Sequence, residues 1–288
     1  MNEKQTDLSN ALIDCRPQAV YQQGHIRGAC SLPAAELFAR MHELPRRSRP
    51  LTLCGTAQDL AEAVVYLTDR GHIVEQQILW TEPLKQQLAA SGELEIGSQS
   101  AQLWQPAPLW QRFVTEVMPT HDIQPGRGLD VACGAGRDMV YLAQQGWQMT
   151  GVDRSEDALQ RVKVLAGHGG VAVETLRRDL ESGGDPLNIF GNNSFALITV
   201  ARYLHRPLFP CLKRLLKPGG VILYQTFMRG CERSKIGRPR NPAFLLQPGE
   251  LAEIFSEYSI LLDEIETLDD GREVSAFIAR SESSYRMV

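Results

Sequence analysis

The order of apolar and polar residues from about residue 127 onward alternates between two periods. Short apolar runs typical of buried strands are followed by stretches whose apolar residues recur every three or four positions, as in helices. This alternation predicts a mostly parallel sheet covered by helices on both faces. A hairpin at Asp269-Asp270-Gly271 is expected to add an antiparallel edge strand. The predicted strands are 128–133, 147–153, 171–179, 195–204, 221–227, 259–268 and 272–280, and the predicted helices are 137–145, 155–167, 208–220 and 250–255.

A shorter pattern of the same kind precedes it. Apolar runs at 11–13, 51–53 and 77–80 flank a helical stretch at 59–70. A segment rich in Gly, Ser, Gln and Pro then separates the two patterns and is interpreted as a linker or docking segment. The sequence therefore predicts an α/β protein of two domains, residues 1–98 and 109–288, joined by a linker at 99–108.

Composition and charge exclude several classes of function. The chain has 288 residues and a net charge of −4, with a pI near 5.9, which argues against a nucleic-acid-binding surface. No run of about 18 apolar residues predicts a membrane span. The first ten residues lack the apolar segment of a secretory signal, so we expect a cytoplasmic protein. The six cysteines form no C-x-x-C pair, which disfavours a metal site.

The most informative segment is the one that runs from Leu129 to Asp138. An apolar strand enters a tight glycine turn that opens a helix, so Gly134 and Gly136 let the backbone approach a ligand closely. A dinucleotide-binding loop would need a third glycine where Met139 stands. The turn therefore predicts a nucleotide-type cofactor other than a dinucleotide.

This turn and the terminal hairpin resemble the class I S-adenosylmethionine-dependent methyltransferases, whose loop reads D-x-G-x-G-x-G. The resemblance covers residues 103–280 and implies a doubly wound, Rossmann-like sheet. The chain departs from the loop at Ala132, which replaces the first glycine. In the family, one acid accepts the ribose hydroxyls and a second accepts the adenine amino group. The resemblance implies S-adenosylmethionine as cofactor, bound by Asp130, Ala132, Cys133, Gly134, Ala135, Gly136, Asp153 (ribose), Arg154, Asp179 (adenine) and Leu180.

Residues for the methyl acceptor are expected after the fourth and fifth strands of this sheet, because open α/β sheets bind ligands at the carboxyl ends of their strands. Arg202 and His205 follow the fourth strand, and Arg229 opens a basic loop at 229–240. This loop is interpreted as a lid for an anionic or polar acceptor, with a solvated charged loop as the alternative. His205 is either a general base or a capping and packing residue.

The segments 126–138 and 143–147 resemble a branch of small-molecule methyltransferases that includes the tellurite-resistance and thiopurine types. That resemblance implies a small acceptor with a soft nucleophile, based on sulfur, selenium or tellurium. Such nucleophiles need little help from a base, so catalysis would rest on positioning and the exclusion of water. The alternatives are a cofactor-binding sensor without turnover and a sulfurtransferase.

The first domain carries a second set of motifs. Residues 12–16 read L-I-D-C-R, residues 24–29 read G-H-I-R-G-A, and Leu32-Pro33 follow. Over residues 8–98 these motifs resemble the rhodanese-like domains, whose catalytic cysteine begins a loop of the form C-x-x-G-x-R. The resemblance places Cys54 at the persulfide-forming position and predicts that the length of the loop is kept.

Two departures from the rhodanese loop weaken the prediction of sulfur transfer. Ala57 stands at the glycine position and Asp59 at the arginine position. A carboxylate near Cys54 would raise the pKa of the thiol and repel an anionic sulfur donor, or Asp59 would only cap the helix. The sequence therefore favours a noncatalytic docking or sensing domain.

Overall fold

The computed structural model describes residues 10–234 and 236–282. The amino-terminal residues that bear on a secretory signal, the start of the rhodanese-like motif region at residues 8–9, and Lys235 of the basic loop lie outside the described residues. The chain divides into two compact units, Met1–Gln105 and Pro106–Val288. This division falls inside the segment predicted as a linker. Within the described residues, no helix is both long and apolar enough to cross a membrane.

The first unit is built on a parallel sheet in the order β3-β1-β4-β5, beside a small antiparallel pair of β2 and β6. Its strands are β1 (Ala11–Asp14), β2 (His25–Ile26), β3 (Cys30–Ser31), β4 (Leu51–Gly55), β5 (Val74–Leu79) and β6 (Leu94–Glu95). Its helices are α1 (Gln18–Tyr21), α2 (Ala57–Asp69) and α3 (Glu82–Ser91), with 3-10 turns at Ala34–Glu36 and Met41–Glu43.

Part of the predicted linker belongs to the first unit. The Ala101 N–H donates to the Ala29 carbonyl at 3.1 Å, and the Ser100 hydroxyl accepts from the Ser31 N–H at 2.9 Å. Leu103 is buried in the same apolar core as Leu51. These contacts tie residues 100–103 to the first unit.

The second unit is a seven-stranded sheet in the order β12-β13-β11-β10-β7-β8-β9. Its strands are β7 (Arg127–Val131), β8 (Gln148–Asp153), β9 (Glu174–Arg177), β10 (Phe195–Ala201), β11 (Leu216–Gln225), β12 (Ser259–Thr267) and β13 (Glu273–Arg280). Its α-helices are α4 (Pro108–Arg112), α5 (Met118–Thr120), α6 (Arg137–Gln144), α7 (Glu156–His168), α8 (Phe209–Leu215) and α9 (Glu250–Ile254). A π-helical turn covers Phe113–Val117, and 3-10 turns cover Arg206–Leu208, Cys231–Arg233 and Pro242–Phe244.

The predicted fold class is confirmed. Strands β7 to β11 pair in parallel, while β12 and β13 form the antiparallel hairpin at one edge. Parallel strands buried on both faces need continuous apolar side chains, and Leu129, Val131 and Ile198 are fully buried between them. The carboxyl ends of β7, β8, β10 and β11 therefore meet at one edge of the sheet, where a ligand site is expected.

Candidate active site

The glycine turn between β7 and α6 holds its backbone in a left-handed conformation at three positions. The φ angles are +57° at Ala132, +54° at Gly134 and +78° at Gly136. A Cβ atom on Gly136 would lie 2.7 Å from Val162 Cγ2, so a larger side chain does not fit there. Gly136 is also the N-cap of α6, and no side chain caps this helix end. The first N–H groups of α6 are therefore left for an external acceptor.

Asp153 joins the glycine turn to the neighbouring strand. Its Oδ2 accepts the Gly134 N–H at 3.0 Å, and its Oδ1 accepts the Ser155 N–H at 2.8 Å. Asp179 follows β9 and accepts the Glu181 N–H at 3.0 Å. Each acid thus shapes its own loop, while both line one cavity of about 350 Å³.

That cavity lies at the carboxyl ends of the central strands and brings together several predicted site residues: Ala132, Asp153, Arg154, Asp179, Leu180 and Arg202. The remaining lining residues are Arg178, Glu181, Tyr203, Leu204, Thr226, Phe227, Pro239 and Phe244. Cys133, Gly134, Ala135 and Gly136 form the adjoining turn and do not line it. The structure therefore joins the predicted ribose and adenine acids to one predicted acceptor residue, in a single pocket.

Asp130 lies behind the glycine turn and not in the cavity. Its carboxylate accepts the Thr199 hydroxyl at 2.8 Å. Burial, and then the charge of Asp138, raise the pKa of Asp130 to about 8, against the Thr199 hydrogen bond, which lowers it. Burial also raises the pKa of the Cys133 thiol, so this cysteine packs as a neutral side chain within the turn.

The two other predicted acceptor residues lie outside the cavity lining. His205 precedes the 3-10 turn Arg206–Leu208, and its carbonyl accepts the Leu208 N–H at 3.0 Å. Arg229 is exposed, and its backbone N–H donates to the Leu246 carbonyl at 2.9 Å. Both remain predictions that the cavity does not support.

Sequence reasoning missed the aromatic wall of the cavity. Tyr203 and Phe227 directly follow β10 and β11, so their positions at strand ends were available as a signal. Phe244 lies beyond the basic loop, in the 3-10 turn Pro242–Phe244, and Arg206 fixes that segment. The Arg206 guanidinium donates to Glu250 Oε1 at 2.6 Å and Oε2 at 2.9 Å. It also donates to the carbonyls of Ala243 at 2.8 Å and Leu245 at 3.0 Å.

In the first unit, Cys54 lies inside β4 and its side chain is completely buried. Burial, and then the charge of Asp14, raise the pKa of this thiol to about 12, although Arg16 acts in the opposite direction. A thiol with that pKa carries almost no thiolate at neutral pH. Asp59 was expected either to raise the pKa of the Cys54 thiol or only to cap the helix. The first expectation is wrong, because Asp59 raises the pKa of Cys15 and not that of Cys54.

The structure leaves little open loop after Cys54. Strand β4 continues to Gly55 and α2 begins at Ala57, so Thr56 alone connects them. Thr56 and Asp59 form a capping box: the Thr56 N–H donates to Asp59 Oδ2 at 3.0 Å, and the Asp59 N–H donates to Thr56 Oγ1 at 3.3 Å. The carboxylate of Asp59 therefore occupies the helix end that would have to receive an anionic sulfur species.

Comparison with known proteins places both units. Residues 129–220 match the methyltransferase domain family, and residues 1–79 match the rhodanese-like domain family. An uncharacterized protein of Schizosaccharomyces pombe is 24% identical over 93% of this chain and 92% of its own length, so the similarity spans both units.

Other relatives match part of the chain. An uncharacterized methyltransferase of Synechocystis is 35% identical over 38% of this chain and 52% of its own length. The match thus spans about half the length of that relative. A solved S-adenosylmethionine-dependent methyltransferase of Methanosarcina mazei is 18% identical, with a TM-score of 0.47 over 58% of this chain and 98% of its own. The family matches thus give the chain a rhodanese-like domain followed by a methyltransferase domain.

Proposed function

We propose that the second unit transfers the methyl group of S-adenosylmethionine to a small acceptor, one with a soft sulfur, selenium or tellurium nucleophile or with an anionic group. The observation that carries this proposal is the shared cavity. It has Asp153 and Asp179 among its walls together with Arg202, Tyr203 and Phe227. One pocket therefore offers carboxylates for an adenosine and a separate cationic and aromatic wall for a second molecule.

The proposed roles of the cofactor residues are those that the family resemblance implies, and the positions of Asp153 and Asp179 in the cavity support them. Asp153 would accept the ribose hydroxyls and Asp179 the adenine amino group, with the Leu180 backbone and Arg154 beside the ring. The turn formed by Ala132, Cys133, Gly134, Ala135 and Gly136 would lie against the methionine part of the cofactor. Asp130 would support this turn from behind, through its contact with Thr199.

Methyl transfer in such a cavity needs little acid–base chemistry. When bound, S-adenosylmethionine would supply the methyl group: the acceptor would take it as the bond to the sulfonium sulfur breaks, leaving S-adenosylhomocysteine with a neutral thioether. A soft nucleophile is reactive without a strong base, so His205 is not needed in contact with it. Holding the two reactants in line can supply several orders of magnitude in rate.

For the first unit we propose a noncatalytic docking or sensing role. Its support is the buried Cys54 thiol with a raised pKa and the helix end that Asp59 closes. Sulfur transfer through a Cys54 persulfide is the alternative, and it would require the cluster of Leu12, Tyr21 and Ala29 that buries Cys54 to open.

Turnover tests this proposal directly. The full chain is incubated with S-adenosylmethionine and a panel of thiols, selenite and tellurite, and S-adenosylhomocysteine is quantified. Asp153→Ala should lose turnover, while Asp157→Ala, an exposed acid of α7, should keep it. Binding of the cofactor without product from any acceptor would instead favour a sensor.

A further inference from the structure

Arg202 is a cation of the cavity wall. Within residues 10–234 and 236–282, no oxygen accepts a hydrogen bond from its guanidinium and no carboxylate forms an ion pair with it. Desolvation lowers its pKa, although the residue as a whole is exposed. The guanidinium can therefore bind an anion that enters the cavity.

The charges around Arg202 also favour the binding of an anion. Arg137 and Arg272 are its neighbouring cations, and both lower its pKa further. The two carboxylates that act in the opposite direction are Asp138 and Asp270. Asp270 is engaged in a two-pronged pair with Arg272, at 3.0 and 2.7 Å. Asp138 accepts the neutral Ala107 N–H at 2.7 Å. The three guanidinium groups outnumber these two carboxylates, so positive charge remains incompletely neutralised around Arg202.

The backbone of Arg202 is held in an unfavourable conformation. Its φ angle is +54°. Residues other than glycine, asparagine and aspartate seldom adopt this backbone conformation. Its N–H donates to the Gln225 carbonyl at 2.6 Å, which fixes this conformation against β11. Strain that persists at a ligand cavity indicates a functional orientation of the side chain.

The wall beside Arg202 is aromatic and apolar. Tyr203 and Phe227 line the cavity with Pro239 and Phe244. The Arg272 guanidinium lies 4.5 Å from the ring centre of Phe227, which braces that ring. Phe244 leaves 47% of its surface exposed, although Arg206 holds its segment by hydrogen bonds. An apolar ring held in place yet uncovered suits a flat apolar ligand.

We propose that the acceptor is a planar, apolar molecule that bears a carboxylate or similar oxyanion, and that Arg202 binds this anion. The proposal rests on the methyltransferase function proposed above and names the class of its acceptor. Arg202 recognises the anion while the aromatic wall covers the body of the molecule. The methionine carboxylate of the cofactor is the other source of such an anion, and the two sources can be separated.

A matched pair of ligands tests the anion site. The full chain, saturated with S-adenosylhomocysteine, is titrated in a calorimeter with 2-naphthoate and with its neutral counterpart 2-naphthamide. We expect naphthoate to bind about tenfold more tightly, because a charge-assisted hydrogen bond is lost in the amide. Arg202→Met should remove this preference, whereas Lys163→Met, at an exposed cation of α7, should keep it. Equal affinity of the two ligands in the unmodified protein, or no binding of either, overturns the proposal.

A second arm identifies the source of the anion. S-adenosylhomocysteine carries the methionine carboxylate, and 5′-methylthioadenosine lacks it. We expect Arg202→Met to bind both with unchanged affinity. A selective loss of S-adenosylhomocysteine affinity would assign Arg202 to the cofactor and overturn the proposal. Arg202→Gly provides an independent variant, because glycine adopts the positive φ angle without strain.

Failure of this proposal and failure of the proposed function are distinguishable. If naphthoate is preferred but no acceptor yields S-adenosylhomocysteine, the anion site stands and methyl transfer is refuted. If thiols are methylated but naphthoate is not preferred, methyl transfer stands and the class of acceptor named here is wrong.

Discussion

The two units have the same strand–turn–helix arrangement at their candidate sites. They differ in the length of the turn and in the capping of the helix. Between β7 and α6 the turn comprises residues 132–136, and α6 starts without a side-chain cap. Between β4 and α2 only Thr56 intervenes, and the capping box with Asp59 closes the helix. The first arrangement leaves N–H groups for a ligand, whereas the second satisfies them internally.

Because of this difference, we expect Cys54 not to transfer sulfur, although it lies near the end of a strand. An external anion can bind only where a turn keeps donors free and lets the backbone come close. The glycine turn meets both conditions, while the Thr56 turn meets neither. Ligand chemistry is therefore expected in the second unit, and the following variants test that contrast.

The largest expected effect comes from closing the open turn with Gly136→Ala. The new Cβ would lie 2.7 Å from Val162 Cγ2 at a φ angle of +78°, so the turn must shift. We expect affinity for S-adenosylmethionine to fall by about a hundredfold in calorimetry. Gly170→Ala is the control, because φ there is +66° but no atom lies within 4 Å of the added Cβ. Equal losses in the two variants would contradict a specific role for Gly136.

The next effect concerns Asp130 and pH. The pKa of this carboxyl is about 8 in the folded chain, against an ordinary value of 3.8. The folded state therefore binds more protons than the unfolded state between these values, and the free energy of unfolding falls as pH rises from about 4 through 8. Asp130→Asn should lose this dependence, so its melting temperature should decline less between pH 6 and pH 9. Asp157→Asn should behave as the unmodified protein, and parallel pH profiles of all three would refute the buried, protonated carboxyl.

A smaller effect is expected from opening the closed turn with Asp59→Ala. Loss of the capping box should lower the free energy of unfolding by about 1 kcal/mol, measured by urea denaturation. Cys54 should remain unreactive toward iodoacetamide in the folded protein, since its burial and not Asp59 raises its pKa. Glu62→Ala, an exposed acid further along α2, is the control. Rapid alkylation of Cys54 in Asp59→Ala would show that the cap alone suppresses its reactivity.

The smallest effect is expected from Ala132→Gly, which restores the glycine usual at this position. Glycine relieves the positive φ angle of +57° but adds freedom to the unfolded chain. The net gain in the free energy of unfolding should be about 0.5 kcal/mol. Affinity for S-adenosylmethionine should not change, and a large change would mean that Ala132 shapes the turn beyond its backbone angle.

Much of the fold was predictable, because it follows from periodicity. The apolar strands of the second unit and the turn at residues 269–271 predict the sheet and its antiparallel edge, and β12 and β13 indeed flank that turn. The sequence was less informative for β5, which starts at Val74 and not at residue 77. Its Glu75 and Gln76 are exposed at the edge of the sheet. These polar residues interrupt the apolar pattern from which the strand would be predicted.

The candidate site was predictable where residues follow strands directly. Asp153, Asp179 and Arg202 lie at strand ends, and topology alone brings them to one cavity. The sequence offered Asp59 as a helix cap, and the capping box confirms this. The start of α2 was nevertheless set at residue 59, because Thr56 was compared with a rhodanese loop and not recognised as the partner of Asp59. Phe244 could not be predicted, because its position depends on hydrogen bonds between Arg206 and residues about forty positions away.

The central claim is that the open turn of the second unit binds a ligand and that the closed turn of the first unit does not carry sulfur. Native mass spectrometry of the full chain tests both halves at once, after incubation with S-adenosylhomocysteine and thiosulfate together. The account predicts one molecule of S-adenosylhomocysteine per chain and no added sulfur. A gain of one sulfur atom that disappears in Cys54→Ala, or a chain that binds no S-adenosylhomocysteine, would contradict it.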